Sequence, residues 1–538
     1  MGIKRGTGRS VTSLFIFALL LGTAWTGRAS VARVDVDPAL HSGAVALIQV
    51  VAGTAWTVAA NLTAAGATEV ATFDSVNIVS ARLSDAALAS IGTDRSVLRA
   101  TTDAVIVATG GGRNRDLDQL GDNSDSTSIG NAAISAPNAW SRSTGAGVVV
   151  ALMDSGIGQH PDLPSGKVVA RANFVDDGAS ALDPAGHGTH LAGIIAANGA
   201  TFRGVAPDAR LVDLRVLDKN GDGRLRDVIA AFDWLLKNRK SLGIGVLNLS
   251  IGMPQDSSYH ADLLAALAEA AWFSGVAVVA AAGNDGPVGG RLATPGSDPF
   301  VITAGSLDDQ GSLAEQDDRE SLFSSRGPSL DGFAKPDVLA PGRRVVSLRA
   351  DPTSRSATED KDSSGKGDPK DENKDNGRGK NATTSVSFDS TLYVRMSGTS
   401  VSSAMTAGVA ALVLSHHTDY SPTKVKSAIV GSGRNVAGSP RQAVDAMRAL
   451  SASARTVNKG LLPSRLLMQT LVKSGVAGNG TTWEGVTWEG VTWEAVTWEA
   501  VTWEGVSWES VSWESVSWEG VMWETVSSEK DPLWVGGR

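Results

Sequence analysis

Apolar residues along this 538-residue chain follow two different rhythms. In the first, "ALIQVV" from Ala46 reads as a strand and a helical spacing follows from Ala55 to Gly66. Two alternating stretches come next, "TEVATF" and "NIVSARLS", then a short helix in "SDAALASIG" and a last strand in "VLRATTDAVIV". The prediction is a small α+β unit of β-α-β-β-α-β order. It ends before a stretch rich in Gly, Asp, Asn and Ser, Gly110 to Ser128, which reads as an exposed linker. From about Ile129 the second rhythm begins. "GVVVALMDSGI", "ARLVDLRVLD", "IGVLNLSIG" and "GVAVVAAAGND" are apolar without alternation, as parallel strands buried on both faces must be. Helical patterns lie between them at Gly188–Asn198, Arg226–Asn238 and His260–Phe273. Together they predict an α/β fold with a doubly wound, mainly parallel sheet, whose ligands sit at the carboxyl ends of its strands.

Three segments fit neither rhythm. Residues 1–29 begin with Lys4, Arg5 and Arg9, continue through an apolar run from Val11 to Leu21 and end in small residues, the layout of a secretory signal peptide. That run is well short of the roughly 20 residues a spanning helix needs. Residues 353–384 are dominated by Asp, Glu, Lys, Gly and Ser and carry no aromatic residue, so they are expected to form a disordered insertion. After a linker at 456–480, the tail 481–538 places Trp at every fifth position from Trp483 to Trp523. A period of five suits neither a straight strand nor a helix. Either short extended sides turn at Glu-Gly and Glu-Ser corners into a solenoid-like stack, or the tail is flexible until a partner orders it. The organisation expected is therefore signal 1–29, small unit 30–110, linker 111–128, main domain 129–455 with its insertion, linker and repeat tail.

Composition narrows the function classes. A 42% hydrophobic, 20% charged chain is globular, and a formal charge of −9 argues against a nucleic-acid surface. The tail has no Lys or Arg between Lys473 and Lys530, which argues the same way and against anionic lipid. There is no cysteine, hence no disulfide and no thiolate metal site. An exported domain without disulfides needs a large core, bound calcium or both.

Three positions carry candidate chemistry: Asp154 ends a buried strand, and His187 and Ser400 each stand where a loop enters a helix. Serine becomes a nucleophile when an imidazole takes its proton, and the imidazole needs a carboxylate to hold its tautomer. The pair His187 and His190 in "HGTH" also suggests zinc, but no third ligand has matching spacing. "DKNGDG", Asp218 to Gly223, resembles half a calcium loop whose closing Glu position is occupied by Ile229.

In the order "VVVALMDSGI", "GHGTHLAG", "GVAPDARLVDLRVLD", "VLNLSIG", "VVAAAGND", "KPDVLAPG" and "SGTSVSSAMTAG", the chain resembles the subtilisin-like serine proteases, the subtilases, over about Ala132 to Gly431. The resemblance implies a subtilisin-like fold and a peptide-bond hydrolase in which Asp154 orients, His187 is general base and then acid, and Ser400 is the nucleophile. It implies that the side-chain amide of Asn284 stabilises the oxyanion, with Ser397, Ser402 and Ser403 left as turn or helix-surface residues. It also implies that Ser250, Ile251 and Gly252 form one edge, and Gly221, Asp222 and Gly223 the facing edge, that pair with an extended peptide. No cofactor is required for such chemistry; structural calcium is left open, Asp162 matching one carboxylate of the family's strong site beside a loop that is short here. Two departures stand out: Val401 to Met405 replace the family's usual residues after the nucleophile, and the insertion replaces a short connection. By the same resemblance the small unit is an inhibitory prodomain removed by self-processing before about Ser128, and the mature protein is secreted or extracellular. Partners are then protein or peptide substrates and the prodomain itself, with the tail's partner unknown. The different-class alternative is a noncatalytic surface or binding protein acting through its Trp-rich tail.

Overall fold

The structure, a computed structural model, describes residues 34–109, 130–350, 391–453, 455, 457–458, 461–467, 502–504 and 522–524. The signal segment, the first linker and the insertion lie outside them. Among the described residues no helix is long and apolar enough to cross a membrane.

The small unit has the expected order. Strands Val45–Val50, Thr68–Phe73, Ile78–Arg82 and Val97–Thr102 alternate with helices Ala55–Ala64 and Asp85–Ile91, and a short strand Asp35–Val36 joins the edge. Ser84 caps the second helix by accepting from the Ala87 N–H at 3.1 Å. One expectation changes: "VLRATTDAVIV" is two strands, Val97–Thr102 and Val105–Ala108. The Asp103 carboxylate accepts the Arg226 N–H and the Ala104 carbonyl accepts the Leu225 N–H, so the main domain turns the chain there and leads its last strand away from the unit.

The main domain is built on a sheet whose central strands are Val338–Pro341, Ile302–Asp308, Ala277–Ala281, Ile244–Leu249, Val149–Asp154, Arg210–Arg215 and Val168–Asn173, in that spatial order and all parallel. Strand order reverses beside Val149–Asp154, which places the site's crevice at that strand's carboxyl end. Helix Thr399–His416 is buried on every side from Thr399 to Val413, as a helix in the middle of a large core must be. Helix Leu225–Leu242 stops at Gly243, whose φ of 69° suits glycine and whose N–H returns to the Arg239 and Lys240 carbonyls.

Two further observations touch the expected linker and tail. Within the stretch expected to be a linker from 456, Pro463, Ser464, Leu466 and Leu467 are buried. In the tail, strands Thr502–Glu504 and Met522–Glu524 pair in parallel with Trp503 opposite Trp523, so partners lie a whole number of five-residue repeats apart.

Candidate active site

Asp154 is fully buried at the end of the central strand. His187 opens helix His187–Ala196 from Gly186, whose φ of 80° belongs to glycine, and a Cβ on Gly188 would stand 2.1 Å from the Gly156 carbonyl oxygen. Those two constraints account for the glycines on either side of the histidine. Its Nδ1 lies 2.8 Å from Asp154 Oδ1 and its Nε2 lies 3.1 Å from Ser400 Oγ. With the proton on Nδ1 donated to Asp154, Nε2 is free to accept the serine proton. The structure thus brings together all three residues singled out in the sequence.

A second carboxylate holds this arrangement and was missed. Asp183 accepts from Ser155 Oγ at 2.8 Å, the Gly186 N–H at 2.8 Å, and the Thr189 N–H and Oγ1 at 2.7 and 2.6 Å. Ser155 Oγ in turn accepts the Gly188 N–H at 2.9 Å, which ties the histidine loop to the strand of Asp154. Burial pushes the Asp183 carboxyl up against the opposing pull of these bonds. Its signal in the sequence was an Asp inside the "ALDPAGHG" loop, indistinguishable there from a turn residue.

The serines around Ser400 need correction. Ser402 and Ser403 are not on a helix surface; both are fully buried. Ser402 Oγ donates to the Ala340 carbonyl at 2.9 Å, and Ser403 Oγ donates to Asn248 Oδ1 at 2.8 Å. Asn248 Nδ2 donates to Ser250 Oγ at 2.9 Å, and Ser250 Oγ donates to the Ser400 carbonyl at 3.1 Å. The replaced residues after Ser400 therefore fasten the first helical turn to two strands. Ser397 Oγ accepts the Arg344 N–H at 2.9 Å, a turn role as expected.

The cleft is occupied by the chain's own strand. Val105–Ala108 runs antiparallel between Asp222–Arg224 and Ile251–Gly252, so the two edges read from the sequence do embrace an extended peptide. The Ala108 N–H donates to the Gly221 carbonyl at 3.1 Å, and both the N–H and Oγ1 of Thr109 donate to the Ser250 carbonyl at 2.9 Å. Asn284 Nδ2 donates to the Thr109 carbonyl oxygen. That amide is aimed by Thr399, whose N–H and Oγ1 hold Asn284 Oδ1 at 2.9 and 3.0 Å, another residue the sequence reading passed over.

The candidate metal residues have other occupations. Asp162 is buried and accepts from the Tyr393 hydroxyl at 2.5 Å. His190 faces the Val345 carbonyl at 3.1 Å and is pushed down to about 3, first by burial and then by His187. Asp218 accepts the N–H groups of Asn220 and Asp222 at 2.7 and 3.0 Å, which makes "DKNGDG" a tight turn. Among the described residues no group of three or more His, Cys, Asp or Glu side chains is placed to hold a metal ion.

A carboxylate, an imidazole and a hydroxyl in line at the carboxyl end of a doubly wound sheet, facing an amide that grips a peptide carbonyl, define the class of serine peptidases. Residues 145–448 match the model of the subtilase family, and the chain belongs to that family. It is 37% identical to serine protease AprX of Bacillus subtilis (strain 168) over 293 residues, 53% of this chain and 60% of that protein. It is 31% identical to subtilisin DY of Bacillus licheniformis over 300 residues, 55% of this chain and 86% of that protein. Among solved structures, fervidolysin from Fervidobacterium pennivorans, described as a keratinolytic enzyme related to subtilisin, matches with a TM-score of 0.56 at 20% identity, over 80% of this chain and 64% of that one. The last likeness concerns the fold. The chain thus spans less than two thirds of AprX and of the fervidolysin chain.

Proposed function

We propose that this chain is a secreted serine endopeptidase, made as a precursor that cuts itself between Thr109 and Gly110. The observation that carries the proposal is the Thr109 carbonyl: its oxygen accepts from Asn284 Nδ2 while its strand lies paired in the cleft beside Ser400. In the reaction, His187 Nε2 takes the proton of Ser400 Oγ as the oxygen attacks the Thr109 carbonyl carbon. Asn284 Nδ2 and the Ser400 N–H, at the positive end of its helix, stabilise the oxyanion. His187 then gives the proton to the leaving Gly110 nitrogen, and water releases the acyl group by the same steps in reverse. Asp154 holds the imidazole throughout. No metal or cofactor takes part in these steps.

The bound strand also suggests what the cleft accepts in other proteins. Ile106 and Ala108 point in, being 0% and 4% exposed, whereas Val105 and Val107 point out at 51% and 37%. Ile106 joins the core that contains Leu225, Val228 and Ile251. Glycine at 252 is required by another neighbour: a Cβ there would stand 2.5 Å from the Thr294 carbonyl oxygen, where this edge packs against Ala293–Thr294. Main-chain pairing then supplies affinity, and preference falls on alternate side chains: aliphatic at the position of Ile106 and small at that of Ala108. The small unit is on this reading an inhibitory prodomain that ends as a product in the cleft. Residues 1–29 direct export, and the tail is an appendage of unassigned partner.

The test is intact mass and N-terminal sequence of the secreted protein beside its Ser400→Ala form. Wild type is expected to begin at Gly110 and the variant to keep the unit attached. Equal trimming of both would transfer the cut to another protease and remove the support for self-processing. The alternative of a noncatalytic binding protein predicts that neither is trimmed and that neither digests casein.

A further inference from the structure

The small unit meets the rest of the chain on a second surface, away from the cleft. Along strand Val45–Val50 the side chains alternate: Ala46, Ile48 and Val50 pack under the unit's own helices, while Leu47 and Gln49 face the other way. Val76 and Ile78 share that outer face and belong to the same core as helix Leu263–Phe273 and Leu467. A crevice between them is lined by Gln49, Ile78, Leu267, Ala270 and Leu467. Gln49 is only 4% exposed, and its Nε2 donates to the Leu466 carbonyl at 3.1 Å. Burying an amide in an apolar face is costly unless it is hydrogen-bonded, so this contact selects one placement of the unit on the segment beneath it.

That segment is itself fastened. The Ser464 N–H donates to both oxygens of the buried Glu269 at 3.1 and 2.8 Å, and the Tyr259 hydroxyl donates to the Leu462 carbonyl at 2.7 Å. The Arg465 N–H donates to the His260 carbonyl at 3.1 Å, which leaves Leu466 and Leu467 pressed inward at 6% and 1% exposure. This buried glutamate inside "LLAALAEAAWF" is thereby explained: it holds the stretch that leads to the Trp-Glu repeats.

We propose that Leu461–Leu467 is part of the surface that receives the N-terminal unit, so that the unit and the root of the repeat tail hold each other in place. The regulatory consequence rests on reading the unit as a prodomain: its departure uncovers the root of the tail, and loss of the root loosens the inhibitor. Linkage makes the two effects reciprocal.

Hydrogen exchange on the full chain carrying Ser400→Ala tests this without requiring cleavage, which is read separately by mass in the wild type. Leu467→Ala is expected to speed exchange in Val45–Val50 and Ile78–Arg82 by at least about thirtyfold, the scale of a buried Leu truncation. In the reverse direction Gln49→Ala should speed exchange of the Ser464 and Leu467 amides about threefold to tenfold, the scale of one buried hydrogen bond. A chain ended after Pro463 guards against a local artefact of either substitution and should behave as Leu467→Ala does. Unchanged protection of the unit in both Leu467→Ala and the shortened chain, or unchanged protection of 464 and 467 in Gln49→Ala, would overturn the proposal.

Discussion

Two of the contacts between the small unit and the main domain work by different physics. In the cleft, strand Val105–Ala108 and Thr109 are held mainly by backbone groups: the Ala108 and Thr109 N–H groups, the Thr109 carbonyl, and ladders on both sides. On the sheet face, contact is made by side chains, with Leu47, Val76 and Ile78 packed and Gln49 bonded to Leu466. Backbone pairing accepts many sequences, which suits a site proposed to cut other proteins. Side-chain packing accepts few, which suits a surface made for a single partner. The difference assigns the chemistry to the first contact and the fidelity of docking to the second.

The largest expected effect separates reaction from docking. Asn284→Ala removes the amide from the Thr109 carbonyl and should lower the rate of self-cleavage about 100-fold to 1000-fold. Hydrogen-exchange protection of Val45–Val50 should stay as it was, because the sheet face is untouched. A variant that cleaves at the normal rate would remove Asn284 from the proposed mechanism, and one that loses protection would show that the two contacts are not separable.

Next in size is a cleft residue held by the packing of its side chain. Ile106→Ala empties a fully buried site and should weaken the cleft contact by about 2–5 kcal/mol, less whatever the cleft recovers by closing around the smaller group. Cleavage is expected to become slower and its position to spread over neighbouring bonds; Val107→Ala, at a half-exposed position, should change neither. Equal effects from the two, read by N-terminal sequencing, would mean that the alternation of buried and exposed positions does not set preference.

A smaller effect isolates aiming from bonding. Thr399 holds Asn284 Oδ1 through its N–H and its hydroxyl, and Thr399→Val keeps the first and deletes the second, along with the acceptor of the Gly283 N–H beside Asn284. Turnover of a peptide substrate should fall about tenfold with little change in KM, since the amide is present but loosely held. A matching rise in KM, or rescue absent in Thr399→Ser, would place Thr399 in binding or packing.

How far all this was legible depended on where each residue's partners lie. Element order was readable because apolar spacing is local, and Asp154, His187 and Ser400 were readable because glycines and strand ends surround them. The break at Asp103 was not, since "VLRATTDAVIV" alternates without pause and the atoms that turn it, the Arg226 and Leu225 amides, are more than a hundred positions away. Ser402 and Ser403 looked like surface residues for the same reason: Ala340 and Asn248 satisfy them from distant strands. Glu269 in an otherwise apolar helix was a visible anomaly, and its partner Ser464 was hidden in an unremarkable "LLPSRLL".

The last prediction lies on neither contact and acts on the frame behind both. Asp213 accepts the Ile157 N–H at 3.1 Å and bonds Arg171 Nη1 at 2.5 Å, so it fixes the turn that follows Asp154. Burial nonetheless outweighs Arg171 and pushes this carboxyl up to about 7, with Asp183 nearby adding to the rise. A raised pKa means that between about 4 and 7 the unfolded chain releases a proton that the folded chain still holds. Its contribution is therefore complete below pH 4, falls as pH climbs through that window and is lost above about 7. Asp213→Asn cannot ionise and keeps an oxygen for the Ile157 N–H, so its loss of Tm from pH 4.5 to 7.5 should be smaller than that of its parent, both carrying Ser400→Ala to prevent digestion. Other carboxyls raised by burial, Asp227 and Asp309 at about 6, titrate in both proteins and cancel in the difference. Parallel slopes would mean that Arg171 keeps Asp213 charged across the range, and the turn behind Asp154 would then be held by an ion pair rather than by a protonated acid.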